Sequence, residues 1–419
     1  MARLVAYAGT NHRLRRTLAR MRAGKPVKMA TLGGSVSAGH GIRGQGSEKY
    51  APSNLNVRVF SWLNQTFPAA GGSAFNPKEK KDNVNVYTNG AEPARASDYF
   101  SMCHGLHIAD DTELIIVELA INDQPGLEPE VNQELLLRQL LEMESQPAVL
   151  LFNVFGLVFD QILVGGDLTY GVAQFYDTPA LSLRNMLLPH IVQNKTHVVE
   201  YFNHEHNMVP DPDTFVGVDL RHIGTRGHEL SGDLIIAYLE LQLAEMDAAE
   251  AAAGLGWSID SLYPIPPLFP GLLAKKFNPA MPPVPAFKPS CFAAHSDIAP
   301  LAPSKQNGWR KWAWKDKTYL VADEPGASFE YELSLNHGSI VLYYLRSREF
   351  GLGNLGCEVV GQSKRRKIQG YWNSHLNIGQ SQHWEHLPPG NHTFKCTLLS
   401  ETDDPKNGTE FRLMALMTI

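Results

Sequence analysis

Residues 27–39 read Val-Lys-Met-Ala-Thr-Leu-Gly-Gly-Ser-Val-Ser-Ala-Gly, an apolar run that ends in a glycine turn. The run at residues 27–32 predicts a short strand, and the glycines after it predict a tight turn into a helix. Ser35 would then present its hydroxyl at the carboxyl end of the strand, with its backbone N–H near a helix start, where negative charge is favoured. Glycine-serine turns also occur without any catalytic role. This stretch alone therefore predicts a strand and a turn but assigns no function to Ser35.

Over residues 1–247, short apolar runs alternate with helical patterns. Further strands are predicted at residues 84–86, 114–118, 149–154 and 197–199. Helices are predicted at residues 14–22, 131–143, 181–188 and 225–246. Strands separated by helices predict an α/β domain over residues 1–247, with a five-stranded parallel sheet covered on both faces. In such sheets the chemistry lies at the carboxyl ends of the strands.

The composition changes in the second half of the chain. Residues 248–308 are studded with proline, which fixes φ and removes backbone donors, and this predicts an extended linker. Residues 309–419 contain several short strand patterns between turns, which predicts an all-β sandwich domain. The clearest strand alternates with period two and places four apolar side chains on one face: Phe329, Tyr331, Leu333 and Leu335.

Composition and charge limit the classes of partner. The formal net charge is −6, from 37 Lys and Arg against 43 Asp and Glu, which disfavours nucleic-acid binding. We find no apolar run near the roughly 18 residues of a membrane span, so we predict no transmembrane segment in this chain.

Two features are compatible with a secretory or extracellular location. Four Asn-x-Thr sequons begin at Asn64, Asn194, Asn391 and Asn407. Cys357 and Cys396 fall in predicted strands of the second domain, and the sequence leaves open whether they pair.

Three more short motifs carry residues suited to catalysis. Asp219-Leu-Arg-His222 precedes the last helix of the first domain, so that Asp219 could orient the His222 imidazole on a single turn. Asn122 follows the strand at 114–118, and Asn89-Gly90 follows the strand at 84–86. Taken one at a time, each motif is more often ordinary turn chemistry than a functional site.

Taken together, these motifs resemble the four blocks of the SGNH (GDSL-type) hydrolase superfamily, which carry Ser, Gly, Asn and His in this order. Longer segments resemble fungal proteins described as SGNH-type esterase-domain or capsule-associated proteins, including NGAEPARASDYFSMC (89–103), VELAIND (117–123) and DLRHIGTRGH (219–228). The sequence departs from the family at Ala120, where Gly-x-Asn-Asp is typical.

The resemblance implies a three-layer α/β/α, flavodoxin-like first domain and a role for each motif residue. Ser35 would be the nucleophile and His222 the general base, oriented by Asp219. The backbone N–H groups of Ser35 and Gly90 and the side-chain amide of Asn122 would form the oxyanion hole. Such chemistry needs no metal and no cofactor.

The function that we expect is ester hydrolysis through a serine acyl-enzyme, with O-acetyl groups on a carbohydrate as substrate. The carbohydrate assignment is an analogy with the family, and glycan binding by the second domain belongs to the same analogy. Two alternatives stay open: a polysaccharide O-acyltransferase with the same triad, and a glycan-binding protein whose hydrolase domain is an inactive scaffold.

A metal site is a weak further hypothesis. Residues 204–206 read His-Glu-His, with Asp211 and Asp213 nearby, but their spacing in a loop and the lack of another clear ligand disfavour metal binding. We therefore predict no metal.

Overall fold

The structure, a computed structural model, describes residues 2–77, 82–205, 208–274, 276, 287–314, 317–336, 338–362 and 364–419. The chain divides into two compact units, Met1–Ala286 and Phe287–Ile419. None of the helices in these described ranges is both long and apolar enough to cross a membrane.

The first unit is built on a mixed sheet, with seven strands in the residues that the structure describes. They are β1 (Val5–Tyr7), β2 (Lys28–Gly33), β3 (Ser73–Phe75), β4 (Asn85–Asn89), β5 (Leu114–Glu118), β6 (Ala148–Asn153) and β7 (Ala180–Ser182). Their order is β1-β7-β6-β5-β2-β4-β3, in which β1 is antiparallel to β7 and the other neighbours are parallel. Every residue of β5 and β6 is buried, so both faces of the sheet are covered.

Helices cover this sheet and share one apolar core with it. They are α1 (His12–Arg22), α2 (Leu55–Thr66), α3 (Ser97–Cys103), α4 (Leu127–Leu141), α5 (Gly165–Leu168), α6 (Tyr170–Phe175), α7 (Leu183–Gln193), α8 (Thr196–Tyr201), α9 (Thr225–Ala253) and α10 (Ile259–Leu262). Short 3₁₀ turns span Glu48–Tyr50 and His104–Leu106. The long helix α9 packs against α1 and α2, whereas α3 packs against α4.

A separate antiparallel ribbon of β8 (Phe202–His204) and β9 (Val218–Ile223) lies outside the main sheet. The register shifts between Phe202 and Asn203, so that Phe202 pairs with Ile223 while Asn203 pairs with Asp219. Residues 220–222 therefore bulge out of the ladder. The bulge frees their side chains from the strict alternation of a strand.

The expected five-stranded parallel sheet is wrong in number and direction. Strands β1, β3 and β7 have three residues each, too few for a periodic signal, and β1 adds an antiparallel edge. Residues 197–199, expected as a strand, lie in helix α8. The helix expected from residue 181 begins at Leu183, because Leu181 belongs to β7 and Ser182 caps the helix through the Asn185 N–H at 3.3 Å.

The stretch at residues 248–308 is not extended throughout, as the linker hypothesis required. Its alanine-rich start continues α9 to Ala253, in keeping with the high helix propensity of alanine. Two of its segments are strands of the second unit, β10 (Ser290–Ala293) and β11 (Lys305–Asn307). Pairing satisfies their backbone groups, which an extended linker would leave to water.

The second unit consists of antiparallel strands in two sheets. The remaining strands are β12 (Arg310–Trp314), β13 (Lys317–Ala322), β14 (Ser328–Leu335), β15 (Ile340–Arg346), β16 (Asn354–Val359), β17 (Arg366–Gln369), β18 (Ile378–Trp384), β19 (Gly390–Leu398) and β20 (Phe411–Thr418). One sheet has the order β12-β13-β20-β15-β18 with β10 on β20, and the other has the order β11-β14-β19-β16-β17. Apolar side chains of both sheets form one core.

The period-two pattern of β14 is confirmed, since its four apolar side chains are at most 5% exposed. Cys357 of β16 lies directly opposite Cys396 of β19, and the two form a disulfide in this core. The bond joins positions 39 residues apart, which restricts the unfolded chain.

Replacing both cysteines by alanine should lower the stability of the second unit by about 3–4 kcal/mol through loop closure. Urea unfolding followed by tryptophan fluorescence measures this, because five of the seven tryptophans lie between residues 309 and 384. Wild type in reductant should shift in the same direction. Equal urea midpoints for oxidised wild type and the double variant would contradict the expectation.

Candidate active site

Ser35 lies on the turn that follows β2, at the carboxyl edge of the parallel strands. The Gly34 N–H donates to the backbone carbonyl of Glu118 at 3.1 Å, which extends the β2–β5 pairing into the turn. A side chain at Gly34 would overlap the amide group of Asn122, and one at Gly33 would overlap Ser37. Gly34 therefore lets the turn after β2 close against the turn after β5, and Gly33 leaves room for Ser37 within its own turn. Ser35 itself is 8% exposed.

The β8–β9 ribbon brings Asp219 and His222 to this serine. The Ser35 Oγ lies 2.8 Å from His222 Nε2, and His222 Nδ1 lies 2.7 Å from Asp219 Oδ2. With Nδ1–H donating to the carboxylate, Nε2 is left to accept from the serine hydroxyl. The structure thus brings together the three residues that the sequence analysis singled out as nucleophile, base and orienting acid.

The Asp219 carboxylate is held by backbone and side-chain donors. Its Oδ1 accepts from the N–H groups of Arg221 at 3.0 Å and His222 at 3.4 Å, and Asn203 donates to Oδ2 at 3.3 Å. Burial raises the pKa of Asp219, but the hydrogen bond and charge of His222 outweigh it and bring the pKa to about 2. Asp219 is therefore ionised at neutral pH. Asn203 was missed, because an asparagine in a loop carries no sequence signal for this contact.

A glycine-flanked loop packs His40 beside His222. The two imidazole rings meet edge to face, with centroids 5.6 Å apart and an interplanar angle of 68°. Gly41 has φ +100°, and a Cβ there would overlap the Ile223 carbonyl at the end of β9. This close approach ties the loop after Ser35 to the strand that carries His222.

His228 is hydrogen-bonded to the loop that carries His40. It is fully buried, and its Nε2 donates to the His40 carbonyl at 3.2 Å. Burial lowers the pKa of His228 to about 4, so the ring is neutral at neutral pH. Its contacts are therefore structural.

Two of the three expected oxyanion donors are placed beside the serine turn without a protein acceptor. In the described part of the chain, the Ser35 N–H and the Asn122 side-chain amide make no hydrogen bond. Ala120, the departure from the family pattern, is accommodated by Gly166, where a Cβ would lie 2.5 Å from that of Ala120. The substitution therefore leaves the Asn122 turn in place.

Gly90 does not fit the role expected for it. Its N–H donates to the Thr31 carbonyl at 2.9 Å and so continues the β2–β4 pairing. The glycine is required for space, because a Cβ would lie 2.8 Å from the His107 carbonyl oxygen. Since the sheet already uses this N–H, the assignment of Gly90 as a free oxyanion donor is corrected.

Two of the hypothetical metal ligands have other partners among the residues that the structure describes. His204 Nε2 lies 2.6 Å from the Val199 carbonyl oxygen, and Asp211 accepts from the Asp213 N–H and the Thr214 hydroxyl. His206 lies outside the described residues.

Glu118 is a buried carboxyl beneath the serine turn that the sequence analysis did not single out. It is 0% exposed, and its Oε2 accepts from the Ser37 N–H at 3.2 Å and the Ser37 hydroxyl at 3.1 Å. Burial raises the pKa of Glu118 to about 8, despite these hydrogen bonds. A glutamate that ends an apolar strand could have been noticed as unusual, but its partner Ser37 could not.

The free energy of unfolding of Glu118→Gln, taken relative to that of wild type, should increase as pH rises from about 5 to 8. The folded state holds the carboxyl proton up to about pH 8, while the unfolded chain releases it near 4.5, so wild type loses stability across this window. Urea midpoints at several pH values measure the difference, with Glu240→Gln on an exposed position of α9 as control. A constant difference from pH 5 to 8 would show that Glu118 is ionised in the folded state.

Solved structures of carbohydrate esterases resemble this fold. A two-domain esterase active on acetylated mannans, co-crystallised with mannopentaose, is 17% identical, with a TM-score of 0.70 over 100% of this chain and 97% of that one. A second structure, also described as a two-domain esterase active on acetylated mannans, is 17% identical, with a TM-score of 0.69 over the same shares. No protein-family model matches the sequence, and no curated protein matches it. At this identity the likeness establishes a shared two-domain fold.

Proposed function

We propose that the chain is a serine esterase of the SGNH type that removes O-acetyl groups from a carbohydrate. The observation that carries the proposal is the unbroken hydrogen-bonded line from Ser35 Oγ through the His222 ring to the ionised Asp219. The fold shared with an esterase active on acetylated mannans supports the carbohydrate as substrate class by analogy.

In the proposed reaction, Ser35 Oγ attacks the ester carbonyl carbon while its proton passes to His222 Nε2. The Ser35 N–H and the Asn122 amide donate to the oxyanion that forms. The intermediate collapses to an acetyl-enzyme, and the sugar hydroxyl leaves with the proton from Nε2. Water, deprotonated by the same nitrogen, then releases acetate and restores the serine. Asp219 stabilises the His222 imidazolium during both formation and hydrolysis of the acetyl-enzyme.

We also propose a secretory or extracellular location and an accessory glycan-binding role for the second unit. Three of the sequon asparagines, Asn194, Asn391 and Asn407, are exposed and thus accessible to glycosylation. The Cys357–Cys396 disulfide suits an oxidising compartment.

Ser35→Ala and His222→Ala should each reduce kcat on p-nitrophenyl acetate by about 10⁴-fold or more. The double variant should lose no more than either single one, because the two residues act as a unit. Mass spectrometry after a fluorophosphonate probe should show one adduct on wild type and none on Ser35→Ala. Additive losses, or an adduct on the alanine variant, would overturn the assignment. If wild type labels but transfers acetyl to an oligosaccharide in preference to water, the chain is an acyltransferase with this site.

Asn122→Ala should lower kcat by about 10²–10³-fold with little change in KM, because the amide acts on the oxyanion and not on the ground state. Asn122→Asp keeps the shape but replaces the donor by a carboxylate, so it should lose at least as much. Steady-state kinetics on p-nitrophenyl acetate separate the two parameters. A loss confined to KM in both variants would assign Asn122 to substrate binding instead.

A further inference from the structure

Arg221 is adjacent to the candidate triad, and its guanidinium N–H groups have no acceptor among the residues that the structure describes. It directly precedes His222 and is partly buried, yet its guanidinium makes no hydrogen bond or ion pair with any residue that the structure describes. The guanidinium carbon instead lies 5.9 Å from the centre of the Phe159 ring. An arginine face over an aromatic ring is attractive and leaves the N–H edge of the guanidinium open to other acceptors.

The pair is held in place by backbone contacts between two loops at the same edge of the fold. The Leu157 N–H donates to the Leu220 carbonyl at 2.7 Å, which joins the loop after β6 to the bulge of β9. A Cβ at Gly156 would lie 2.8 Å from the Phe159 ring and 3.4 Å from the Arg221 carbonyl oxygen. Gly156 thus leaves room for the Phe159 ring, over which the Arg221 guanidinium lies. A preorganised group loses less entropy on binding.

The electrostatics of Arg221 also favour an external acceptor. Burial lowers the pKa of Arg221, and the charge of Asp219 only partly opposes this effect. Asp219 already accepts from His222, Asn203 and two backbone N–H groups, so it has little capacity left for the guanidinium. A guanidinium presents five donors in a planar fork, and a partly desolvated fork gains most from two neighbouring oxygen acceptors.

We propose that Arg221, held over Phe159, is the saccharide subsite next to Ser35. The proposal rests on the esterase function proposed above and names what that site recognises. The fork donates to two adjacent oxygens of the sugar that carries the ester. These oxygens are either a pair of vicinal hydroxyls or the carboxylate of an acidic sugar. Arg221 is thus a specificity-determining residue, and it takes no part in the proton transfers.

The test compares kcat/KM for acetylated oligosaccharides with that for p-nitrophenyl acetate, which has no sugar. Arg221→Gln should lower the ratio of the two values about 10- to 100-fold, since one or more charge-assisted hydrogen bonds are lost. The loss should fall mainly on KM. Arg221→Lys, which keeps the charge without the fork, should recover part of the ratio on an acidic oligosaccharide and little on neutral acetylated mannan oligosaccharide. Arg226→Gln removes an exposed arginine at the start of α9 and should leave the ratio unchanged.

Comparison of the acidic with the neutral oligosaccharide shows whether the two oxygens belong to a carboxylate or to vicinal hydroxyls. If a carboxylate is bound, the ratio for the acidic oligosaccharide falls as salt increases, whereas vicinal hydroxyls give a ratio that salt does not change. An unchanged ratio in Arg221→Gln on both substrates would overturn the subsite. A parallel loss on p-nitrophenyl acetate and both saccharides would also overturn it, because Arg221 would then act on the triad.

A binding measurement tests the saccharide subsite even if the protein is not an esterase. If wild type hydrolyses no ester, binding of mannopentaose and of an acidic oligosaccharide is measured directly by calorimetry on wild type and Arg221→Gln. Binding that weakens about tenfold in Arg221→Gln supports a saccharide subsite on a chain that is not an esterase. Equal binding, or none in either protein, overturns the proposal.

Discussion

The parallel pairing of β2 between β4 and β5 is the constraint on which the candidate site depends. It ends three strands at one edge of the sheet and so gathers the turns that carry Ser35, Gly90 and Asn122. Gly34 is needed because the turns that carry Ser35 and Asn122 approach each other more closely than a Cβ allows, whereas Gly33 leaves room for Ser37 and Gly90 leaves room for His107. The central strands thus position the serine and its neighbouring amide, whereas the histidine arrives from a separate ribbon.

The carboxyl groups of Asp219 and Glu118 show how environment gives residues of the same chemical class different pKa values. Asp219 has a histidine and several donors around it, which keep its pKa near 2 against the effect of burial. Glu118 lies in the core, where burial outweighs its hydrogen bonds from Ser37 and raises its pKa to about 8. Divergent pKa values of this kind are typical of sites where one acid carries charge and another acts as a neutral support.

The sequence predicted the parts of the fold with long or strongly patterned signals, such as β5, β14 and α9. It could not predict β1 and β3, because three residues have no measurable period and their strand character depends on a neighbour elsewhere in the chain. The proximity of Ser35, Asp219 and His222 was expected from the Asp-x-x-His spacing and from the motif order that resembles the SGNH superfamily. Glu118 and Asn203 were not, since their roles arise from contacts across the fold. Gly90 was misassigned because a glycine needed for space looks the same in sequence as one that frees an N–H.

The β8–β9 ribbon also has a consequence for how this protein responds to heat. Two short paired strands outside the main sheet open at a lower free energy than a central strand paired on both sides. The imidazole and the serine therefore belong to regions of unequal local stability. Hydrogen exchange in the ribbon then runs ahead of exchange in β2. We therefore expect warming to separate the histidine from the serine before the central sheet unfolds.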